Sequence, residues 1–189
     1  GTNPPADFVW VEDEFPKGAK TEASGTGGEL KWIETNKVHS GKRAIARSDK
    51  GLAQDFFTQA SPALLVGPGD KLFAYVYLEP TDPPQAIMLQ FHTGEWRHRA
   101  NWGEDDPIPY GIKGTSQKLL QGPLPKLGEW VRLEIDASQL DLKPGAKIDG
   151  LAFTQFGGTV YWDRAGIVTA TPQEDRSGVS LLAWEQQEK

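Results

Sequence analysis

Three prolines within five positions, Pro80, Pro83 and Pro84, cut the chain between two apolar runs and fix how both can fold. Proline locks φ, removes a backbone donor and bars its predecessor from the helical region, so residues 80 to 84 must form a connecting turn. The run before them, Lys71 to Glu79, is rich in Phe, Tyr, Val and Leu, a composition that fits a pleated, buried strand. The run after them, Ala86 to Phe91, is a second strand that turns at Thr93-Gly94 and returns as Glu95 to Ala100. Side chains alternate between the faces of a strand, so Ile87, Leu89 and Phe91 fall on a dry face and Met88, Gln90 and His92 on the other. On the returning strand the same alternation groups Trp96 with His98 and Ala100, and Glu95 with Arg97 and Arg99. The expected sheet has one dry face and one face bearing Trp, His, Gln or Arg.

The remaining chain continues the pattern. Phe8 to Glu12 alternates, with Phe8, Trp10 and Glu12 on one face, and a short strand lies near Leu30 to Glu34. Arg43 to Ser48 and Leu52 to Gln59 read as a strand pair around Asp49-Lys50-Gly51, with Phe56 and Phe57 too bulky to leave wholly exposed. Residues 103 to 128 form a long irregular segment, and loops of that length inside a domain are usually functional or disordered; Tyr110, between Pro109 and Gly111, is its residue of interest. Glu129 to Asp136 alternates clearly, Trp130, Arg132 and Glu134 against Val131, Leu133 and Ile135, and Ala137 to Leu142 can make a helical turn. Ile148 to Phe156 and Thr159 to Thr169 read as a hairpin about Gly157-Gly158. With 21 Gly and 14 Pro among short β-rich runs, the expected fold is all-β: a single antiparallel β-sandwich of jelly-roll type over residues 1 to 170. Residues 171 to 189 read as a linker or a short terminal helix leading toward a following domain.

Composition removes several classes of function. A net charge of −6 disfavours nucleic acid, whose phosphates are bound mainly by clustered Lys and Arg. There is no Cys, hence no disulfide frame and no thiolate metal site. No apolar stretch approaches the ~20 residues that span a bilayer, so membrane insertion is not expected. His39, His92 and His98 lack a metal-ligand motif such as HExxH, and Thr115-Ser116 lacks the GxSxG context of a nucleophile. Glu95, Glu104, Asp105 and Asp106 read as solvated turn carboxylates, so no enzyme is expected.

A series of ordered motifs carries a resemblance. It comprises Trp96-Arg97-His98-Arg99-Ala100-Asn101-Trp102-Gly103, Gly122-Pro123-Leu124-Pro125, Gly128-Glu129-Trp130-Val131-Arg132-Leu133-Glu134, Gly150-Leu151-Ala152-Phe153-Thr154 and Tyr161-Trp162-Asp163-Arg164-Ala165-Gly166, with Val9-Trp10-Val11-Glu12-Asp13 upstream. Over about residues 8 to 168 the chain resembles a bacterial concanavalin-like or carbohydrate-binding-module-like β-sandwich found in large multidomain proteins, some with c-type cytochrome domains and some with surface repeat arrays. The resemblance implies a non-catalytic accessory module, extracellular or periplasmic, with a glycan and the neighbouring domains of its parent chain as partners. Relatives often carry His near the positions of Gln54 and Asp55, which this chain lacks, so no role of that His is carried over.

A sugar site needs an aromatic plane for the apolar face of a pyranose and planar polar groups at its rim. Trp96, Trp102 and Tyr110 are the candidate planes, and Gln90, His92, Arg97, His98 and Arg99 the rim. The bland alternative is a structural spacer or protein-contact domain, which should bury Trp96, Trp102 and Tyr110, whereas a binding module should expose one or more of them along a groove. A structural calcium ion, which needs several oxygen ligands, would take Asp13 with Glu12 or Glu14 after the first strand and Asp163 in the last.

Overall fold

The computed structural model describes residues 4–26, 31–34 and 37–174. The expected linker or helix at the C-terminus lies almost wholly outside the described residues. The strands are β1 (Ala6–Val11), β2 (Lys20–Ser24), β3 (Trp32–Glu34), β4 (Arg43–Thr58), β5 (Leu64–Leu65), β6 (Lys71–Leu78), β7 (Ala86–His92), β8 (Trp96–Gly103), β9 (Leu119–Gly122), β10 (Trp130–Asp136), β11 (Lys147–Ile148) and β12 (Gly150–Thr169), with a single 3-10 turn at Ala137–Leu140. The fold is an all-β sandwich. No helix among the described residues is long and apolar enough to cross a membrane.

Two long strands organise it. β4 and β12 run antiparallel beside each other, and each passes from one layer of the sandwich into the other. In the first layer β12 pairs through Gly150–Phe156 with β7 on one edge and with the second half of β4 on the other, and β8, β9 and β2 extend that sheet. In the second layer β12 pairs from Val160 onward with β6, which carries β10, while its other edge takes the first half of β4 and then β1. The crossing folds the chain back on itself: Phe153 and Trp162, nine residues apart on one strand, bring their ring centroids to 5.3 Å.

This corrects the expected hairpins. Asp49-Lys50-Gly51 is the middle of a continuous sixteen-residue strand, and Gly157-Gly158 is a bend within a twenty-residue one. Both glycines have positive φ, 71° and 80°, and the β4 pairing slips there by one residue. A Cβ on Gly158 would lie 2.4 Å from the Pro84 backbone nitrogen, whereas one on Gly157 would meet nothing closer than 3.6 Å. Gly158→Ala is therefore expected to lose more stability than Gly157→Ala, by about 1–3 kcal/mol in urea unfolding, because strain and a backbone clash coincide there. Equal losses would mean that the bend yields.

The core lies between the layers and follows the alternation. Ile87, Leu89 and Phe91 of β7, Leu72, Ala74, Val76 and Leu78 of β6, and Leu133 and Ile135 of β10 all point into it. β1 departs from simple alternation: a bulge between Val9 and Val11 sends Trp10 and Val11 inward together. The sheet is also not purely antiparallel. Within the segment expected to be irregular, β9 pairs parallel to β8, which a connection of fifteen residues allows.

Candidate functional site

The outer face of the first layer carries a compact depression. Gln54 and Phe56 of β4, Ala152 of β12, Gln90 of β7 and Trp96 and Arg99 of β8 line it, with Tyr110 from the loop after β8. Its volume is about 140 Å³, smaller than the roughly 300 Å³ of the smallest drug-sized pockets and suited to one ring or one chain end.

Pairing across four neighbouring strands builds its floor. β12 sets Thr154 opposite Gln54 on one side and Met88 on the other, while β7 sets Gln90 opposite Arg99. The side chains then form one connected network. Gln90 Nε2 donates to Gln54 Oε1 and to Thr154 Oγ1, both at 2.9 Å, and Gln90 Oε1 accepts from Arg99 Nε at 2.8 Å. Arg99 is 9% exposed and also donates to the carbonyls of Trp96 and Gln117. A buried and fully connected network of this kind holds its members in one orientation.

The walls are aromatic. Trp96 meets Phe56 edge-to-face at 5.9 Å and His92 at 4.7 Å, and His92 is held by Asp149 at 2.6 Å. Tyr110 sits with its ring 5.9 Å from the Arg99 guanidinium carbon, a cation–π distance. The loop is seated by Ile108, which is buried with Ala86 and Met88. It is also seated by the Lys118 ammonium, which donates to the carbonyls of Asp105 and Ile108, and by Asn101, which donates to Asp105 at 2.7 Å.

Of the expected site residues, the structure brings together Trp96, Gln90, Arg99 and Tyr110, with His92 supporting the Trp96 ring. It does not bring Arg97, His98 or Trp102. Arg97 is exposed and paired with Glu95, and His98 bonds the Leu140 carbonyl and Thr93. Trp102 is 8% exposed and belongs to the main core. The reason is a bulge in β8: Phe91 faces His98, but His92 faces Trp96, so Arg97 is an extra residue. One inserted residue moves Trp96 off the face of His98 and onto that of Arg99. Sequence reasoning missed Gln54, Phe56 and Thr154; the alternation of β4 separates Phe56 from core Phe57, and was the signal available.

Two of the carboxylates expected to ligate calcium, Asp13 and Asp163, accept backbone hydrogen bonds. Asp13 accepts from the backbone N–H groups of Lys42 and Arg43, and Asp163, 2% exposed, accepts from those of His39, Ser40 and Arg164. Glu14 joins neither, and among the described residues no three His, Asp or Glu side chains gather as a cation site. Burial pushes the Asp163 carboxyl up to about 6, against those backbone donors and with help from nearby Glu12. A carboxyl raised from 3.8 in this way favours the folded state at low pH and loses that contribution as pH climbs from about 4 to about 6. Asp163→Asn does not titrate, so its stability relative to the parent chain should rise across that window by up to about 3 kcal/mol. Urea unfolding at pH 4, 5, 6 and 7 reads this; parallel curves for the two proteins would refute it.

The second layer also has an aromatic outer face, but the chain covers it. His39 stacks on Tyr75 at 3.7 Å, and the Lys37 ammonium lies over the rings of Tyr77 and Tyr161 at 4.5 and 5.1 Å. A more open groove of about 800 Å³ runs between Pro83-Pro84 and Pro123 to Leu127, and no aromatic ring lines it.

Comparison with solved structures supports the fold. A carbohydrate-binding module studied for promiscuous specificity within the β-sandwich superfamily aligns with a TM-score of 0.51 at 15% identity, covering 87% of this chain and 63% of its own. This chain thus spans less than two-thirds of that structure's length. A family 28 carbohydrate-binding module specific for non-crystalline cellulose gives 0.49 at 13% identity, with 89% and 97% covered. A family 29 module altered at a tyrosine gives 0.48 at 9%, with 88% and 93% covered. No protein-family model and no curated protein matches the chain.

Proposed function

We propose that the chain is a non-catalytic, glycan-binding β-sandwich module of a larger extracellular or periplasmic protein. One observation carries the reading: Trp96, Phe56 and Tyr110 wall a depression whose floor is a fixed network of Gln54, Gln90, Thr154 and Arg99. Aromatic faces match the C–H face of a pyranose, and oriented amides and a guanidinium match its hydroxyls. The likeness in fold to a carbohydrate-binding module agrees with this reading. The competing spacer reading required all three candidate rings to be buried, and only Trp102 is.

A polysaccharide pull-down and glycan-array screen tests the proposal. The wild type is expected to retain a defined subset of glycans, weakly for a single sugar unit. Arms with calcium and with chelator read whether the expected ion takes part. A well-folded protein that retains no glycan would return the chain to the spacer class.

A further inference from the structure

The cation at the floor of the depression has no anion. Arg47, Arg97, Arg132 and Arg164 each pair with a carboxylate, yet among the described residues none pairs with Arg99. Its bonds go instead to neutral acceptors, the Gln90 amide oxygen and the carbonyls of Trp96 and Gln117. A guanidinium stays charged and carries five N–H groups in a planar fork. Three are used here, one from each nitrogen, which leaves one on Nη1 and one on Nη2. Burial of a charge without a counter-charge is costly, and the nearby Lys118 ammonium adds to the positive field rather than relieving it. The nearest help inside the protein is the Tyr110 ring. This occurs in a chain of net charge −6, so the positive site is a local feature and not a consequence of composition.

We propose that the depression selects an acidic sugar, a hexuronate unit whose carboxylate supplies the missing counter-charge to Arg99. The inference rests on the glycan-binding reading and sharpens its ligand class. Two free N–H groups on neighbouring nitrogens match the two oxygens of a carboxylate, a pairing that an ammonium or an amide cannot reproduce. The Trp96 and Tyr110 rings then flank the sugar ring that carries it.

The test compares oligomers of galacturonate, glucuronate and mannuronate with the neutral oligomers made from each by reducing the carboxyl groups to alcohols, titrated calorimetrically against the wild type. At least one acidic oligomer should bind, its neutral counterpart about tenfold or more weakly, with the gap narrowing in high salt. Arg99→Gln should erase the difference, and Arg99→Lys should restore only part of it. If a neutral oligomer binds as well as its acidic parent, the glycan reading stands and this proposal falls. Equal binding of a sulfated neutral oligomer would overturn the carboxylate assignment, and silence toward both series would sink this proposal, the glycan reading falling with it only if the array screen is also silent. The acidic and neutral pairs decide the matter on wild-type protein even if the Arg99 variants fold poorly.

Discussion

Asp55→Ala is expected to destabilise the protein by about 3–5 kcal/mol, a drop of about 6–20 °C in Tm for a chain of this size. Asp55 and Arg47 are 2% and 4% exposed, and they meet inside the sandwich by two bonds, Nε to Oδ2 at 2.9 Å and Nη2 to Oδ1 at 2.6 Å. They are eight residues apart on β4, one in each layer, so their bond spans the crossing itself. The hydrogen bond holds the Arg47 guanidinium in its charged form, while burial pulls the Asp55 carboxyl up against it. Removing the acid strips the buried guanidinium of these two charge-assisted bonds, and that is the source of the loss. The double change Arg47→Met with Asp55→Leu removes both charges together and should recover most of the stability, since buried pairs are often replaceable by apolar residues. If the double variant is as unstable as the single one, the pair contributes something beyond mutual compensation.

Trp96→Ala is expected to weaken glycan binding by at least about tenfold while leaving Tm nearly unchanged. The ring is half-buried at the edge of the depression and touches Phe56 and His92 rather than the main core. A stacked ring contributes about 0.5–1.5 kcal/mol beyond the area it covers, so one truncation removes most of the affinity of a small site. Trp102→Ala makes the informative contrast. That ring lies in the main core, and its loss should cost about 3–5 kcal/mol of stability without touching the ligand. Binding lost in folded Trp102→Ala and kept in Trp96→Ala would place the site on another face.

Much of this was legible in the chain. The prolines at 80, 83 and 84 fixed a turn, the alternation of β7 assigned Ile87, Leu89 and Phe91 to the core, and that of β10 set Val131, Leu133 and Ile135 on one face before any pairing was known. Those inferences held because they depend only on a residue's immediate neighbours. Of the eight candidate ligand residues read from the sequence, Gln90, Arg99, Trp96 and Tyr110 are the ones the fold brings to one depression.

What local pattern could not supply was everything that depends on a partner strand. A glycine pair looks the same in a hairpin and in a bend, and only the pairing of β12 with β7 and then β6 shows that it bends. The bulge at Arg97 is invisible to a period-two count, yet it decides that Trp96 joins Arg99 outside while Trp102 goes inside. Gln54 and Phe56 enter the site because β12 and β7 bridge β4 to β8, across forty or more residues of chain. Where a strand keeps its period, as β7 does, sequence alone separated the core face from the other, since side-chain alternation is a property of the backbone itself. Tertiary structure decided which wet faces meet, because strand order and register are set by long-range packing of the core.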